Sequence, residues 1–235
     1  MHSAKDILLK PISSRRANRI VKRLHYSGKV VNNSQLHIGV FLNGSLEGAM
    51  QFGPPFDKRK ALPLVEDTEW NGMMELNRMA FSDRLPRNSE SRAISVAMKL
   101  MKKHAPHVEW ILSYSDATQC GDGAIYRASG FVLTGIKENK SMLVLPNGDV
   151  VASHTLTKGK HILRNGGKAA APEGAEALQG YQLRYIYFIN PEARKRLTVP
   201  EIPFEKIDEI GAGMYRGEKM PYHKRNQDEP AQEAS

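Results

Sequence analysis

Apolar and polar positions alternate or repeat in short blocks along the chain, and the blocks predict several strands and a few helices. Met73 to Phe81 (MMELNRMAF) has the apolar content of a buried strand, and Asp83 to Ser91 (DRLPRNSES) is a turn-rich loop. Arg92 to His104 then places Ile94, Ala97, Met98 and Met101 at helical spacing. Lys99, Lys102, Lys103 and His104 gather toward the end of that helix, where cations suit the negative end of the dipole, and Asn88, Ser89 or Ser91 can cap its start. Val108 to Ser115 reads as a second strand, Gly123 to Ser129 as a short helix stopped by Gly130, and Phe131 to Lys137 as a third strand. Leu36 to Leu42 and Ser45 to Gln51 flank Asn43-Gly44, while Met142 to Leu145 and Asp149 to Ser153 flank Asn147-Gly148. Both are strong hairpin signals, and both hairpins are expected to extend one sheet. Tyr181 to Ile189 is an aromatic, alternating late strand expected to close that sheet. Together the blocks predict a mixed α/β (α+β) fold with a mostly antiparallel central sheet flanked by helices. One catalytic domain over 1–190 is expected, followed by an extended arm over 191–225 packed on its surface and an unstructured tail over 226–235.

Composition narrows the partners. With 235 residues and 40% hydrophobic content the chain can bury one core of ordinary size, and a formal charge of +9 implies an anionic partner, nucleic acid first among polymers. The position of the charge matters more than its total. Ser14 to Tyr26 reads as a helix with Arg15, Arg16, Arg19, Lys22 and Arg23 opposite Ala17, Ile20, Val21 and Leu24. That row is spaced for phosphates, or is simply a solvated face. Lys158, Lys160, His161, Arg164 and Lys168 fall in a Gly- and Ala-rich stretch over about 158–180, which reads as a basic loop that tracks a backbone or as a plain insertion. A single cysteine, Cys120, leaves no internal disulfide and fits a reducing cytosol. No run approaches the ~20 apolar residues of a membrane span, and MHSAKDILLK lacks the apolar core of a signal peptide, so no membrane association is expected.

Asp116 falls at the C-terminal end of the Val108 to Ser115 strand, where open α/β sheets place ligands; there a carboxylate acts as base, holds a cation or caps the next turn. The order strand, loop, helix, strand, short helix, Gly-Phe, strand, together with AIYRASGF, resembles the GCN5-related N-acetyltransferase (GNAT) fold. That resemblance implies a coenzyme A pyrophosphate held on the amides of the loop before the helix at Arg92, and helix N-termini do attract anions. The loop aligns Asn88, Ser91 and Ala93 with the family's Gln/Arg, Gly and Gly/Ala, so Ser stands where Gly allows the closest backbone approach. Tyr126 occupies the position of a GNAT tyrosine that protonates the departing thiolate; read alone, it is core packing with a satisfied hydroxyl.

Over a longer span, about Leu24 to Phe188, the segments LHYSG, FGPP, MELNRMAF, SYSDATQCGDGAIYRASGF and LTGIKE resemble the Mom family of phage DNA-modification proteins. This resemblance implies an enzyme of the host cytoplasm that converts adenine N6 in double-stranded DNA to an N6-carbamoylmethyl group and so protects phage DNA from host restriction. It also implies that His25, Tyr26, Asp116 and Tyr126 face one pocket. There a neutral imidazole, a carboxylate and phenol oxygens could bind iron (Fe2+) or zinc, with His25 and Asp116 the ligands to expect. Arg78, as an anion clamp, and Ser91 become the donor-binding residues; Arg78 can equally be the salt-bridge partner of Glu75 or Asp83.

The implied product constrains the donor. Building it from acetyl-CoA requires activating a methyl carbon and importing a nitrogen. A glycyl group delivered to N6 from glycyl-tRNA needs neither, because its amine can attack C6 through a five-membered ring and expel the original nitrogen as the amide. Either way the base must leave the duplex stack, and Phe52, Phe56, Trp70 and Tyr114 are the aromatics available to meet it. Two other classes remain open on sequence: a GNAT-like acetyltransferase acting on a protein, polyamine or aminoacyl-tRNA, and a noncatalytic DNA-binding regulator using the basic helix alone. No helix-turn-helix or zinc-finger pattern supports the regulator.

Overall fold

Asn43 and Gly44 both have positive φ (50° and 81°), the geometry that a tight hairpin turn of the mirror-image type needs. They join β2 (Leu36–Leu42) to β3 (Ser45–Gly53) in antiparallel register. The computed structural model describes residues 2–117, 121–138, 142–152, 164–165, 168–169, 172–177 and 180–211. Before the hairpin lies β1 (Leu8–Pro11), which pairs with β2 and which no sequence signal marked. After it come β4 (Met73–Phe81), β5 (Trp110–Asp116) and β6 (Val132–Glu138). Five short strands follow: β7 (Met142–Val144), β8 (Val150–Ala152), β9 (Arg164–Asn165), β10 (Lys168–Ala169) and β11 (Glu176–Ala177). β12 (Tyr181–Phe188) is the last. A seven-stranded sheet has the order β1-β2-β3-β4-β5-β12-β6. Its first four strands are antiparallel neighbours, and β5 lies parallel to β4.

The chain divides into two compact units. One comprises Met1–Tyr114, Gly123–Gly135 and Arg184–Pro203, the other Ser115–Asp122, Ile136–Leu183 and Phe204–Ser235. In the first, α1 (Ser14–Leu24) is capped by the hydroxyl of Ser13, one residue ahead of Ser14. Its Ala17, Ile20 and Val21 pack on Ala49 of β3 and Ala80 of β4, small residues that let the helix lie close to the sheet. A second cluster gathers Met73, Trp110, Leu112 and Ile186 with Leu64, Val65 and Ala193. The Trp110 indole N–H donates to Thr68 Oγ1 at 3.0 Å, so burying this large ring leaves no unpaired donor. α2 (Lys58–Ala61), α3 (Ser89–His104) and α4 (Ala124–Ala128) complete the helices of this unit.

Two expectations change. β12 does not close the sheet at an edge but lies between β5 and β6, and its buried Leu183, Tyr185 and Ile186 suit an interior strand. The Asn147-Gly148 hairpin, β7 with β8, does not join the large sheet; it pairs with β11 in a three-stranded sheet of the second unit. The stretch after Pro191, expected as an arm packed on the surface, is described as far as residue 211. Pro191–Arg196 forms a 3-10 turn, started by the Asn190 side chain and a proline in the first turn, and Leu197 bridges to Val65. Arg196 then reaches Glu109 at 2.6 Å and tethers the segment to the first unit. β9 and β10 form a small hairpin inside the stretch read as a basic loop.

Candidate functional site

A single extra residue in β4 builds the centre of the site. Gln51 of β3 pairs with Arg78 and its neighbour Phe52 with Leu76, so Asn77 is a β-bulge. In an unbroken strand Glu75 and Arg78, three positions apart, point to opposite faces; the added residue turns them to the same one. The bulge is held from below. Asn77 accepts from Ser34 Oγ at 3.1 Å and donates to the Pro54 carbonyl, which also receives Asn33 Nδ2 at 2.7 Å. Gly53 makes this packing possible, since a Cβ there would come within 2.5 Å of the Asn33 carbonyl oxygen and 2.8 Å of Asn77 Oδ1. Beyond Glu75 the sheet opens: β4 and β5 pair only over Met73–Glu75 and Trp110–Leu112, although both strands continue.

His25 and Tyr26 arrive from the other side, because α1 ends at His25, whose extended backbone (φ −78°, ψ 135°) turns the chain out of the helix. Their rings stack at 4.3 Å between centroids with a 31° tilt. His25 Nδ1 receives the backbone N–H of Ser27 at 3.2 Å and lies 2.9 Å from its hydroxyl. A fixed backbone donor on Nδ1 selects the tautomer that carries its proton on Nε2. Burial, and secondarily the Arg78 guanidinium, lowers the imidazole from 6.5 to about 4, so His25 is neutral near pH 7 and offers an N–H.

Arg78 donates Nε to the Lys29 carbonyl at 3.0 Å and Nη1 to the Asn77 carbonyl at 2.7 Å. Burial weakens its hold on the proton, and the nearby Tyr26 and Glu75 restore part of it. Glu75 feels Arg78 without a direct ion pair among the described residues, so the salt-bridge reading is replaced by a longer-range one. Burial raises the Glu75 carboxyl above its ordinary range, with Asn77 and Arg78 offsetting only part of the effect. Across the opening, Tyr114 of β5 is pushed up by burial and by Glu75, and drawn back by Arg184. Arg184 itself is anchored on Thr134, through Nη2 to the carbonyl at 2.6 Å and Nε to Oγ1 at 3.1 Å. The first unit thus assembles a neutral imidazole donor, a carboxylate of raised basicity, a phenol held in its protonated form and two anchored guanidiniums. Such a set can accept a proton from an amine and polarise an acyl carbonyl.

Of the residues picked out in the sequence, His25, Tyr26 and Arg78 are brought together. On sequence, Tyr114 counts only as an aromatic available to meet the base and Glu75 only as an ion-pair partner of Arg78, and Arg184 is not singled out. A charge inside an otherwise apolar strand is the only signal for Glu75 as a base and for Arg184. Tyr126, on α4, is half-buried in an aromatic cluster with Phe131 and Tyr185, each ring about 5.2 Å away. Asp116 ends β5 half-buried and belongs to the second unit. Ser91 sits in the first turn of α3 with its hydroxyl donating to the Asn88 carbonyl at 3.2 Å. Asn88 adopts the left-handed conformation (φ 67°) without a side-chain cap, and the neighbouring Ser89 Oγ is buried with no partner among the described residues. Those features suit an anion, whereas Glu90 in the same first turn opposes one.

The α1 cations Arg15, Arg19, Lys22 and Arg23, with Ser14 and Asn18, line an open groove of about 670 Å³. Arg16 is directed elsewhere, onto the Phe41 ring at 5.6 Å. Lys158, Lys160, His161, Cys120 and the tail lie outside the described residues, and Arg164 and Lys168 are described in backbone only. Among the described residues no three His, Cys, Asp or Glu side chains gather as metal ligands. With Ser27 on its Nδ1, His25 presents a proton rather than a lone pair. The expected iron or zinc site does not fit the residues described.

An antiparallel sheet opened at one parallel pair, with a helix starting after β4 and polar groups at the opening, makes this a GNAT-like α/β protein. The Mom protein family model matches residues 6–206, and the chain belongs to that family. The protein of Escherichia phage Mu called methylcarbamoylase mom is 38% identical over 203 residues, which cover 84% of this chain and 81% of that protein. Solved acetyltransferases are loosely similar. The IAA acetyltransferase from Bacillus cereus is 10% identical with a TM-score of 0.45, covering 77% of this chain and 99% of its own. The ribosomal-protein-S18-alanine N-acetyltransferase from Escherichia coli is 12% identical with a TM-score of 0.45, covering 78% and 94%.

Proposed function

We propose that this protein is a transferase that installs a carbamoylmethyl group on N6 of adenine in double-stranded phage DNA, protecting it from restriction in the host cytoplasm. Membership of the Mom family supports the reaction class. The observation that carries the reading is the continuity of α1: the helix that carries the row of cations ends at the neutral His25, beside Arg78, which in turn acts on Glu75. No helix among the described residues is long and apolar enough to cross a membrane.

In this reading Arg15, Arg19, Lys22 and Arg23 hold phosphates, and the exposed Tyr26 ring, stacked on His25, supports the extruded base. Glu75 takes a proton from N6 as N6 attacks the acyl carbon, and the His25 Nε2–H with Tyr114 and Arg184 steadies the charge that develops on the acyl oxygen. Glycyl-tRNA is the donor for which atoms balance without an oxidant. The bond from N6 to the glycyl carbonyl forms, the tRNA ester breaks, and the freed glycyl amine attacks C6. N6 then departs from C6 and remains as the amide, giving the N6-carbamoylmethyl isomer. Acetyl-CoA remains the alternative donor, favoured by the buried, unpartnered Ser89 hydroxyl at the start of α3.

Mass spectrometry of nucleosides from cells expressing the chain tests the reading, with deoxyadenosine heavier by a carbamoylmethyl group as the expected result. Unmodified deoxyadenosine overturns it. Isotope-labelled glycine and acetate, fed separately, identify the donor by which label enters the base.

A further inference from the structure

Among the described residues, the most exposed of the large hydrophobic side chains is aromatic and stands on a rigid base. Phe56 is 103% exposed, while Pro55 before it is buried and the Pro54 carbonyl is pinned by Asn33 and Asn77. On its other side Asp57 caps α2, accepting the Lys60 amide at 3.3 Å and pairing with its ammonium at 2.9 Å, and Ala61 is buried. Two prolines fix the backbone leading to the ring, so its exposure is built into the loop and not an effect of slack chain. Arg59 and Lys60 are exposed beside it, and the Lys58 ammonium lies 4.7 Å above the half-exposed Trp70 ring. A lone exposed phenylalanine needs no explanation in general. One held out by anchors on both sides, next to three consecutive cations, has the chemistry of a wedge that enters a base stack.

We infer that Phe56 inserts into the DNA duplex and fills the gap left by the extruded adenine, with Lys58, Arg59 and Lys60 on the flanking phosphates. This rests on the proposed DNA reading. The anchor is shared with the site: Asn77, which holds Pro54, is the bulged residue of β4 that turns Arg78 toward His25. Asn77 therefore ties the base of the wedge to the strand that carries Glu75 and Arg78. A filled gap keeps the vacated stack from closing, so the ring is needed only where the target base begins paired and stacked.

Wild type, Phe56→Ala and Phe56→Trp would each be given a paired duplex and the same strand with its adenines opposite adenine, with a clarified host-cell extract supplying the donor. Modified deoxyadenosine is read by mass spectrometry, and melting curves check the fold. Phe56→Ala is expected to lose at least about tenfold on the paired duplex, or about 1.4 kcal/mol, and to stay within about twofold on the mismatched one. Phe56→Trp is expected to restore the paired substrate. Loss on both substrates alike, or on neither, overturns the inference. A wild type that modifies neither substrate sinks the DNA reading itself, a result distinguishable from the other two.

Discussion

Lowering the pH from 7 to 4.5 loads a proton onto His25 in the unfolded chain but scarcely in the folded one, which titrates at about 4. Between 6.5 and about 4 the unfolded state therefore binds more protons, and stability falls as pH falls; below about 4 the loss is complete. At about 1.4 kcal/mol per pH unit that interval amounts to roughly 3 kcal/mol, and partial exposure of the ring reduces it to about 2. Urea unfolding of wild type and His25→Gln at pH 7 and pH 4.5 isolates this share from that of the carboxylates, because only the histidine contribution differs between them. Proton NMR gives the cause. The chain has eight histidines, and the signal missing from His25→Gln identifies the one that matters. That signal is expected to remain neutral at pH 5.5, and to move upward in Arg78→Met while staying below 6.5, since burial is the larger of the two causes. A wild-type midpoint near 6.5 would refute the buried, neutral imidazole and the Nε2–H donor built on it.

Glu75→Gln is expected to cut modification by about 10²-fold or more while DNA binding, measured by filter retention, changes less than about twofold; full activity would remove Glu75 as the base. Replacing Arg19 and Lys22 together by Ala should weaken binding and reduce the slope of log affinity against log salt by about 2; an unchanged slope would mean that α1 touches no phosphate. Gly53→Ala should cost roughly 1–3 kcal/mol in thermal or urea unfolding, because the new methyl overlaps the Asn33 backbone. Wild-type stability in that variant would show that the Asn77 bulge is less tightly supported than its contacts indicate.

Periodicity made the sheet strands legible where it was strong. Met73–Phe81 was read to the residue and the Asn43-Gly44 hairpin nearly so, since a run of apolar residues and a two-residue turn are local properties. β1 escaped notice because Leu8–Pro11 is short, exposed and ends in proline, and it is a strand only because β2 offers an edge. The partner of the β7–β8 hairpin was equally hidden: a strand's own pattern does not say which edge it will join. At the site the resemblance supplied His25, Tyr26 and Arg78. Glu75 reads there only as an ion-pair partner of Arg78, because the bulge that turns both to one face of the sheet follows from pairing with β3, a contact distant in sequence. Arg184 and its coupling to Tyr114 were illegible for the same reason, since that coupling exists only where β12 lies beside β5.

α1 runs without interruption from its capped start at Ser13 to the turn at His25, and that makes it a ruler. Its eleven residues span about 16 Å, roughly five base pairs of duplex measured along one strand. Adding one residue between Arg23 and His25 would rotate the imidazole by about 100° relative to the row of guanidiniums, while leaving each part chemically intact. In the proposed reading, exchanging one cation of α1 for another is expected to cost less activity than changing the number of residues between the cations and the histidine.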